Sequence, residues 1–185
     1  MKAIITMGIP AAGKSTVVNK KYDAKEWAFI DPDEIKKEHP KYDAKNPQLV
    51  HDWSKAIAKA RMHEAIAVEK NIIVDGTGTN SEKLVSWVNE FHSVGYEVTL
   101  LFVKCNLQTA LKRNAARDRI VPEEVIRKKS ALISISFEIV SSYVDDVVII
   151  NNNWKKERLV CYEKENNLSK IRKTDHGWGV YSRLV

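Results

Sequence analysis

The run Gly8-Ile9-Pro10-Ala11-Ala12-Gly13-Lys14-Ser15 has the spacing GxxxxGK[ST]. Each residue type in it has a chemical use. Glycines let the backbone curl until successive N–H groups point inward, as bound phosphate oxygens require. A helix starting at Lys14 puts its positive end at the same place. Lys14 then reaches the terminal phosphates of a nucleoside triphosphate. The Ser15 hydroxyl completes a Mg2+ shell otherwise made of water and phosphate oxygens. With Thr16 following in the same helix start, residues 8–16 form the expected nucleotide-binding segment. The context agrees with the pattern. Ala3-Ile4-Ile5-Thr6-Met7 is an apolar run suited to a buried strand, and a polar stretch with spaced apolar residues follows. The strand also displaces another reading of Met1-Lys2 and residues 3–12, as the short apolar core of a secretion signal.

A phosphate loop alone specifies no reaction. A base-reading NKxD segment, which a GTPase switch needs, does not occur, and motor ATPases carry more machinery. A small kinase remains, with ATP on the loop and an acceptor hydroxyl in a second pocket. Such an enzyme needs a carboxylate to take or orient the hydroxyl proton. Asp33 is the candidate, just after the second strand, although Asp33 and Glu34 also suit a helix start capped by Asp31 with Pro32 at its first position. Asp75 ends the third strand. It fits a group that holds a Mg2+ water or contacts the acceptor, with Thr77 beside it; it also fits the Gly76–Gly78 turn. Asp75-Gly76-Thr77 lacks the first Asp of a DxDGT phosphatase, because Ile73 stands in its place. Arg113, Arg117 and Arg119 follow a helix. The first two are four apart and therefore expected on one helical face, where a mobile segment closes them over ATP; the alternative is a solvated basic face paired with Asp118.

The elements that must position these groups alternate. Strands are expected at residues 3–7, 27–30, 71–75, 97–103 and 147–150. Helices are expected from Lys14, from Pro32, over 48–70 with the apolar positions Leu49, Trp53, Ile57, Ala60 and Ala67, over 81–92, from about Leu107, and from Pro122 to about Tyr143. The order predicts an α/β fold with a parallel sheet of about five strands covered by helices on both faces. Residues 1–150 form the main domain. A short basic C-terminal extension, 151–185, packs on it, with Arg158–Tyr162 and Gly179–Leu184 as short strands, possible as an antiparallel extension of the sheet.

The chain has 185 residues, 44% hydrophobic and 29% charged, which is ordinary for a folded globular domain and excludes collagen or disorder. No apolar run reaches the roughly 18 residues of a membrane helix. Two cysteines make no disulfide framework, and the five histidines form no metal pattern, so a cytoplasmic setting is expected. The net charge is +6; residues 151–185 hold eight Lys/Arg against four Asp/Glu, so most of the excess lies in the tail. A basic balance favours an acidic partner such as a nucleic acid or a phosphorylated small molecule, and also simply aids solubility. Trp154, Tyr162, Trp178 and Tyr181 lie among the tail's charges, where base stacking competes with packing on the sheet edge.

Residues 2–16 resemble the opening of the kinase domain of phage polynucleotide kinases, as do the Asp33 turn, Asn80-Ser81-Glu82, and Lys112-Arg113-Asn114 with Arg117 before Val121-Pro122. Ile30-Asp31-Pro32-Asp33, His39-Pro40 and Val74-Asp75-Gly76-Thr77-Gly78 are equally similar to zeta-toxin-type kinases, which phosphorylate UDP-N-acetylglucosamine. The resemblance covers about residues 2–150 and implies one superfamily of small P-loop kinases. It implies ATP and Mg2+ as cofactors, Lys14 and Ser15 on phosphate and metal, Asp33 as general base, Arg113 and Arg117 as lid arginines, and Asp75 near the acceptor. Polynucleotide kinases often carry a phosphatase domain, for which this chain has no room, and the tail after Asn151 matches neither group. The expected function is transfer of the γ-phosphate of ATP to a hydroxyl of a nucleic acid or nucleotide. The alternatives are a zeta-type kinase acting on a nucleotide sugar and a nucleotide-binding interaction module without catalysis.

Overall fold

The computed structural model describes residues 1–117 and 119–153, and the backbone course of 158–165 and 168–173. Five parallel strands form the body of the sheet: β1 (Lys2–Met7), β2 (Trp27–Ile30), β3 (Asn71–Val74), β4 (Glu97–Lys104) and β5 (Asp146–Asn151). The helices between them are α1 (Lys14–Lys21), α2 (Pro32–Lys36), α3 (His51–Ala67), α4 (Ser81–Ser93), α5 (Leu107–Ala115) and α6 (Glu123–Ser141). Two more strands, β6 (Arg158–Glu165) and β7 (Leu168–Lys173), continue the sheet antiparallel beyond β5. The strand order is β2-β3-β1-β4-β5-β6-β7.

Ala3, Ile5 and Met7 of β1 and Val98, Leu100 and Leu101 of β4 are fully buried, because neighbours cover both pleat faces. The connection from β1 to β2 runs toward one edge, and every later parallel connection runs the other way. Right-handed crossovers therefore set α1 on one face and the later helices on the other. The reversal beside β1 leaves a crevice at the carboxyl ends of β1 and β3, the place where open α/β sheets take ligands. No helix among the described residues is long and apolar enough to cross a membrane.

The five expected parallel strands form where the sequence placed them, and the antiparallel extension begins at Arg158 as expected. β7 was not anticipated, and Gly179–Leu184 lies outside the described residues. One helix differs in rotation. α3 is preceded by a 3-10 turn over Pro47–Val50 and buries Ser54, Ala58, Met62 and Ala65. Leu49 is 72% exposed, and Ala60 and Ala67 face solvent. The small residues Ser54 and Ala58 let α3 sit close against α2 and β2, and Trp53 and Ile57 pack at the seam's margin.

The loop after β3 is pinned from α6. The buried Ser136 Oγ donates to the Gly78 carbonyl at 2.6 Å. Gly78 has φ 77°, and a Cβ there would strike the Met7 side chain at 2.6 Å, so only glycine lets this loop pass over β1. Ser136→Ala leaves the Gly78 carbonyl buried without its donor. It is expected to lower unfolding free energy by about 1–3 kcal/mol, measured by urea denaturation at pH 7.

Candidate active site

The phosphate loop closes at the end of β1. Ala11 (φ 62°) and Gly13 (φ 91°) take left-handed conformations that turn the chain into the helix start. Gly8 N donates to Thr77 O at 3.1 Å, and Ala12 N donates to Ile9 O at 3.0 Å. The Ala12 carbonyl accepts Asn152 Nδ2 at 2.8 Å and Arg113 Nη1 at 3.4 Å. The loop is thus tied to the segments after β3 and β5 and to α5. Lys14 Nζ folds back onto Gly8 O at 3.0 Å. Among the six described α-helices, α1 is the one with neither a side-chain cap nor an acidic residue in its first turn. Its first N–H groups are therefore left for an anion, with the exposed Ser15 and Thr16 beside them.

The acceptor side is built by register. Ile5 pairs with Val74, and Val74 pairs with Ile30. One step further along each strand come Thr6, Asp75 and Asp31, side by side. Thr6 is fully buried; its hydroxyl donates to Asp75 Oδ1 and accepts Gly76 N at 3.1 Å. Asp75 N donates to Ile30 O at 2.8 Å. Asp31 caps α2, its Oδ1 accepting Asp33 N at 2.8 Å and Glu34 N at 3.3 Å. Burial, then the charge of Asp75, pushes Asp31 up to about 6, against the opposing pull of those two backbone donors.

Asp33 is the second residue of α2, within its first turn. Its Oδ1 accepts Lys36 Nζ at 2.7 Å, and Arg119 Nη1 stands 3.8 Å from its Oδ2. Burial acts to raise this carboxyl. The Lys36 hydrogen bond and charge, then Arg119 and Lys14, outweigh burial and hold Asp33 below its ordinary value. The Asp33 side chain is 59% exposed and that of Lys36 only 8%, so a covered lysine stem delivers its ammonium to an accessible carboxylate. On the facing helix, Lys129 Nζ donates to Thr77 Oγ1 at 3.0 Å. Burial, then the like charge of Lys14, depresses the Lys129 ammonium, while Asp33 opposes that.

The arginines divide between two places. α5 ends at Ala115, so Arg117 lies past the helix and does not share a helical face with Arg113. Both nevertheless line one cleft of about 340 Å³, with Gly13, Thr16, Lys20 and Asn152. Arg119, expected with them on the nucleotide, instead faces Asp33. Asp118 lies outside the described residues. The structure also adds groups that sequence reasoning passed over. Lys36 was findable from its place three residues after Asp33 on a helix. Thr6, Lys129 and Asn152 carry no spacing signal, since only the sheet order and the packing of α6 bring them in.

An uncapped helix behind a glycine-bearing loop, at the crevice of a parallel sheet, defines a P-loop α/β protein. The Zeta toxin family model matches residues 2–167, and the chain belongs to that family. It is 27% identical over 129 residues to an L-seryl-tRNA(Sec) kinase of Methanococcus maripaludis, covering 67% of this chain and 49% of that protein. The chain thus spans about half the length of the curated relative it matches. In fold it resembles the AvrRxo1-ORF1:AvrRxo1-ORF2 structure with sulphate ions, with a TM-score of 0.69, 15% identity and coverage of 86% of this chain and 57% of that one. It also resembles the PezAT toxin-antitoxin system of Streptococcus pneumoniae, with a TM-score of 0.62, 17% identity and coverage of 84% and 71%.

The raised Asp31 carboxyl has a consequence for stability. Its folded value of about 6 exceeds the ordinary 3.8, so the unfolded chain loses this proton first. The native state is penalised progressively as pH rises from about 4 to about 6, and the penalty persists above that window. Asp31→Asn keeps a capping oxygen without the charge. Its stability relative to the parent should rise across that window and level off above pH 6, measured by denaturant melts at stepped pH.

Proposed function

We propose that the protein is an ATP- and Mg2+-dependent kinase transferring the γ-phosphate to a hydroxyl of a nucleic acid or nucleotide, in the cytoplasm. The observation that carries this reading is the position of Asp33. An accessible carboxylate, held ionised by Lys36, lies in the electrostatic reach of Lys14 at the phosphate loop. Membership of the Zeta toxin family and the likeness to a seryl-tRNA kinase support it.

In the reaction, the loop N–H groups and Lys14 hold the donor phosphates. Asp33 accepts the proton of the acceptor hydroxyl as its oxygen bonds the γ-phosphorus, and the bond to the β–γ bridging oxygen breaks to leave ADP. Lys14 and Lys129 lie on the same side as Asp33 and offset charge on the transferring group. Arg113 and Arg117, which line one cleft with Gly13 and Thr16, are read as lid arginines that close over ATP. Among the described residues no three His, Cys, Asp or Glu side chains form a metal cage. Ser15, with Asp75 oriented by Thr6, suits an ion that keeps its waters and phosphate oxygens. Mg2+, when bound there, supplies positive charge against the phosphates. Residues 151–185 are read as an extension of the same domain.

Family membership favours a second reading, a nucleotide sugar such as UDP-N-acetylglucosamine as acceptor. A module that binds nucleotide without transfer would have no use for an ionised Asp33 facing Lys14.

Incubation with γ-labelled ATP and single-stranded DNA, RNA, nucleosides or UDP-sugars decides among these. Label on a nucleic acid or nucleotide is expected. Label on the UDP-sugar alone replaces the proposal with the second reading, and label on nothing removes both. With the acceptor so found, Asp33→Asn should lower turnover by roughly 10²–10⁴-fold while ATP affinity holds.

Lys36→Met tests how Asp33 is kept ionised. Without its lysine partner the carboxyl rises, so the acid limb of the rate profile should move to higher pH. An unmoved limb would place the base elsewhere.

A further inference from the structure

The chain leaves β5 through three asparagines, Asn151, Asn152 and Asn153, and all three are tied down. Asn152 N donates to Lys104 O at 2.8 Å, extending the β4–β5 ladder by one rung. Asn153 Oδ1 accepts Asn106 N at 2.8 Å, and Asn153 Nδ2 donates to Asn151 Oδ1 at 2.6 Å. The middle side chain is thereby presented from a fixed backbone. It reaches 140 residues back in sequence to donate to the Ala12 carbonyl at 2.8 Å.

That carbonyl belongs to the peptide unit joining Ala12 to Gly13. In a planar trans peptide the C=O and the N–H point in opposite directions. Drawing the Ala12 carbonyl toward Asn152 therefore turns the Gly13 N–H to the other side of the loop, where the motif has its phosphates. Gly13, at one end of this peptide, has φ 91°, and Ala11, the residue before Ala12, has φ 62°, a left-handed conformation that is costly for a residue with a Cβ. Arg113 supports the same carbonyl at a longer 3.4 Å. A Cβ on Gly13 would run into the Asn152 amide, so glycine is needed there for the clamp as well as for its φ.

We infer that Asn152 is a positioning residue of the donor site, holding the Ala12–Gly13 peptide so that the Gly13 N–H faces the bound polyphosphate. The inference rests on the loop binding donor phosphates. Because Asn152 also lines the cleft with Arg113 and Arg117, it competes with a plainer role as a contact for the base alone.

The two roles separate on a ligand without a base. Tripolyphosphate and ATP are titrated calorimetrically into the parent, Asn152→Leu, which keeps the bulk without the donor, and Asn152→Ser, a milder change that keeps a donor on a shorter stem. Loss of the clamp should weaken both ligands in Asn152→Leu by a similar factor, about five- to tenfold for one hydrogen bond, and less in Asn152→Ser. Glycine-selective 15N labelling gives seven resonances. That of Gly13 should move strongly on tripolyphosphate addition in the parent and much less in Asn152→Leu, with Gly95 unmoved in both. ATP weakened with tripolyphosphate unchanged makes Asn152 a base contact and overturns the inference. Equal affinities and equal Gly13 responses in parent and variants also overturn it. A parent that binds neither ligand instead removes the donor-site reading beneath it.

Discussion

Level pairing of three parallel strands is the constraint from which the site follows. β2 and β3 end in step at Ile30 and Val74, level with Ile5 of β1, which runs on to Met7. The next row then holds Asp31, Asp75 and Thr6, where the chain has left β2 and β3 while β1 still pairs with β4. The Thr6 hydroxyl resolves what that row would otherwise leave: it is buried, it gives its proton to Asp75, and it accepts Gly76 N. Because side chains alternate along a strand, a shift of one residue in β3 would send Asp75 to the opposite face and leave Thr6 without its acceptor. The apolar strand interiors that fix register also fix the chemistry at the strand ends.

Two carboxylates two residues apart are driven opposite ways by that arrangement. Asp31 is rooted in the row next to Asp75, so burial and a like charge raise it. Asp33, two residues on in the first turn of α2, meets Lys36 and Arg119 and feels the charge of Lys14, so it falls. Both remain ionised at neutral pH, but Asp31 is the more easily protonated; its oxygen caps the helix, while Asp33 stands exposed beside its cations. Stability is not the gain from the Lys36 pair, since an ion pair this exposed contributes only about 0–1 kcal/mol. Its effect is on the protonation of Asp33, where Lys36 at 2.7 Å, with Arg119 and Lys14, outweighs the desolvation acting against it.

The sheet was legible because each parallel strand is a continuous apolar run between turn residues, and buried parallel strands are recognisable that way. The loop was legible because its chemistry is local: glycines, a lysine and a hydroxyl within eight positions. The rotation of α3 was not, because its apolar stripe is one residue off the seam it uses, where Ser54 and Ala58 allow closer packing than Leu49 or Ala60 would suggest. The sharing of a helical face by Arg113 and Arg117 failed for a local reason, since α5 ends between them. Arg119 lies between α5 and α6, outside any helical period, so its approach to Asp33 left no spacing signal. Lys129 and Asn152 needed tertiary structure, each lying dozens of residues from the group it touches.

Donor and acceptor halves are built on different principles. The proposed donor half is backbone: loop N–H groups, a helix start without a cap, and the Ala12 carbonyl held by Asn152 and Arg113. Backbone recognition reads charge and spacing and is indifferent to most side-chain change, which is why a short motif suffices to find it. The acceptor half is made of side chains from α2, the segment before α6, and α6 itself, converging on Asp33 and Thr77. Lys36 and Arg119 stand on the Asp33 carboxylate, and Lys129, bonded to Thr77, lies within electrostatic reach of it. An acceptor carrying negative charge near its reacting hydroxyl would share those cations with Asp33 and complete their neutralisation. The acceptors proposed above that carry phosphate, namely nucleotides, nucleic acids and nucleotide sugars, meet that condition, whereas a nucleoside or a plain alcohol brings no charge to share with those cations.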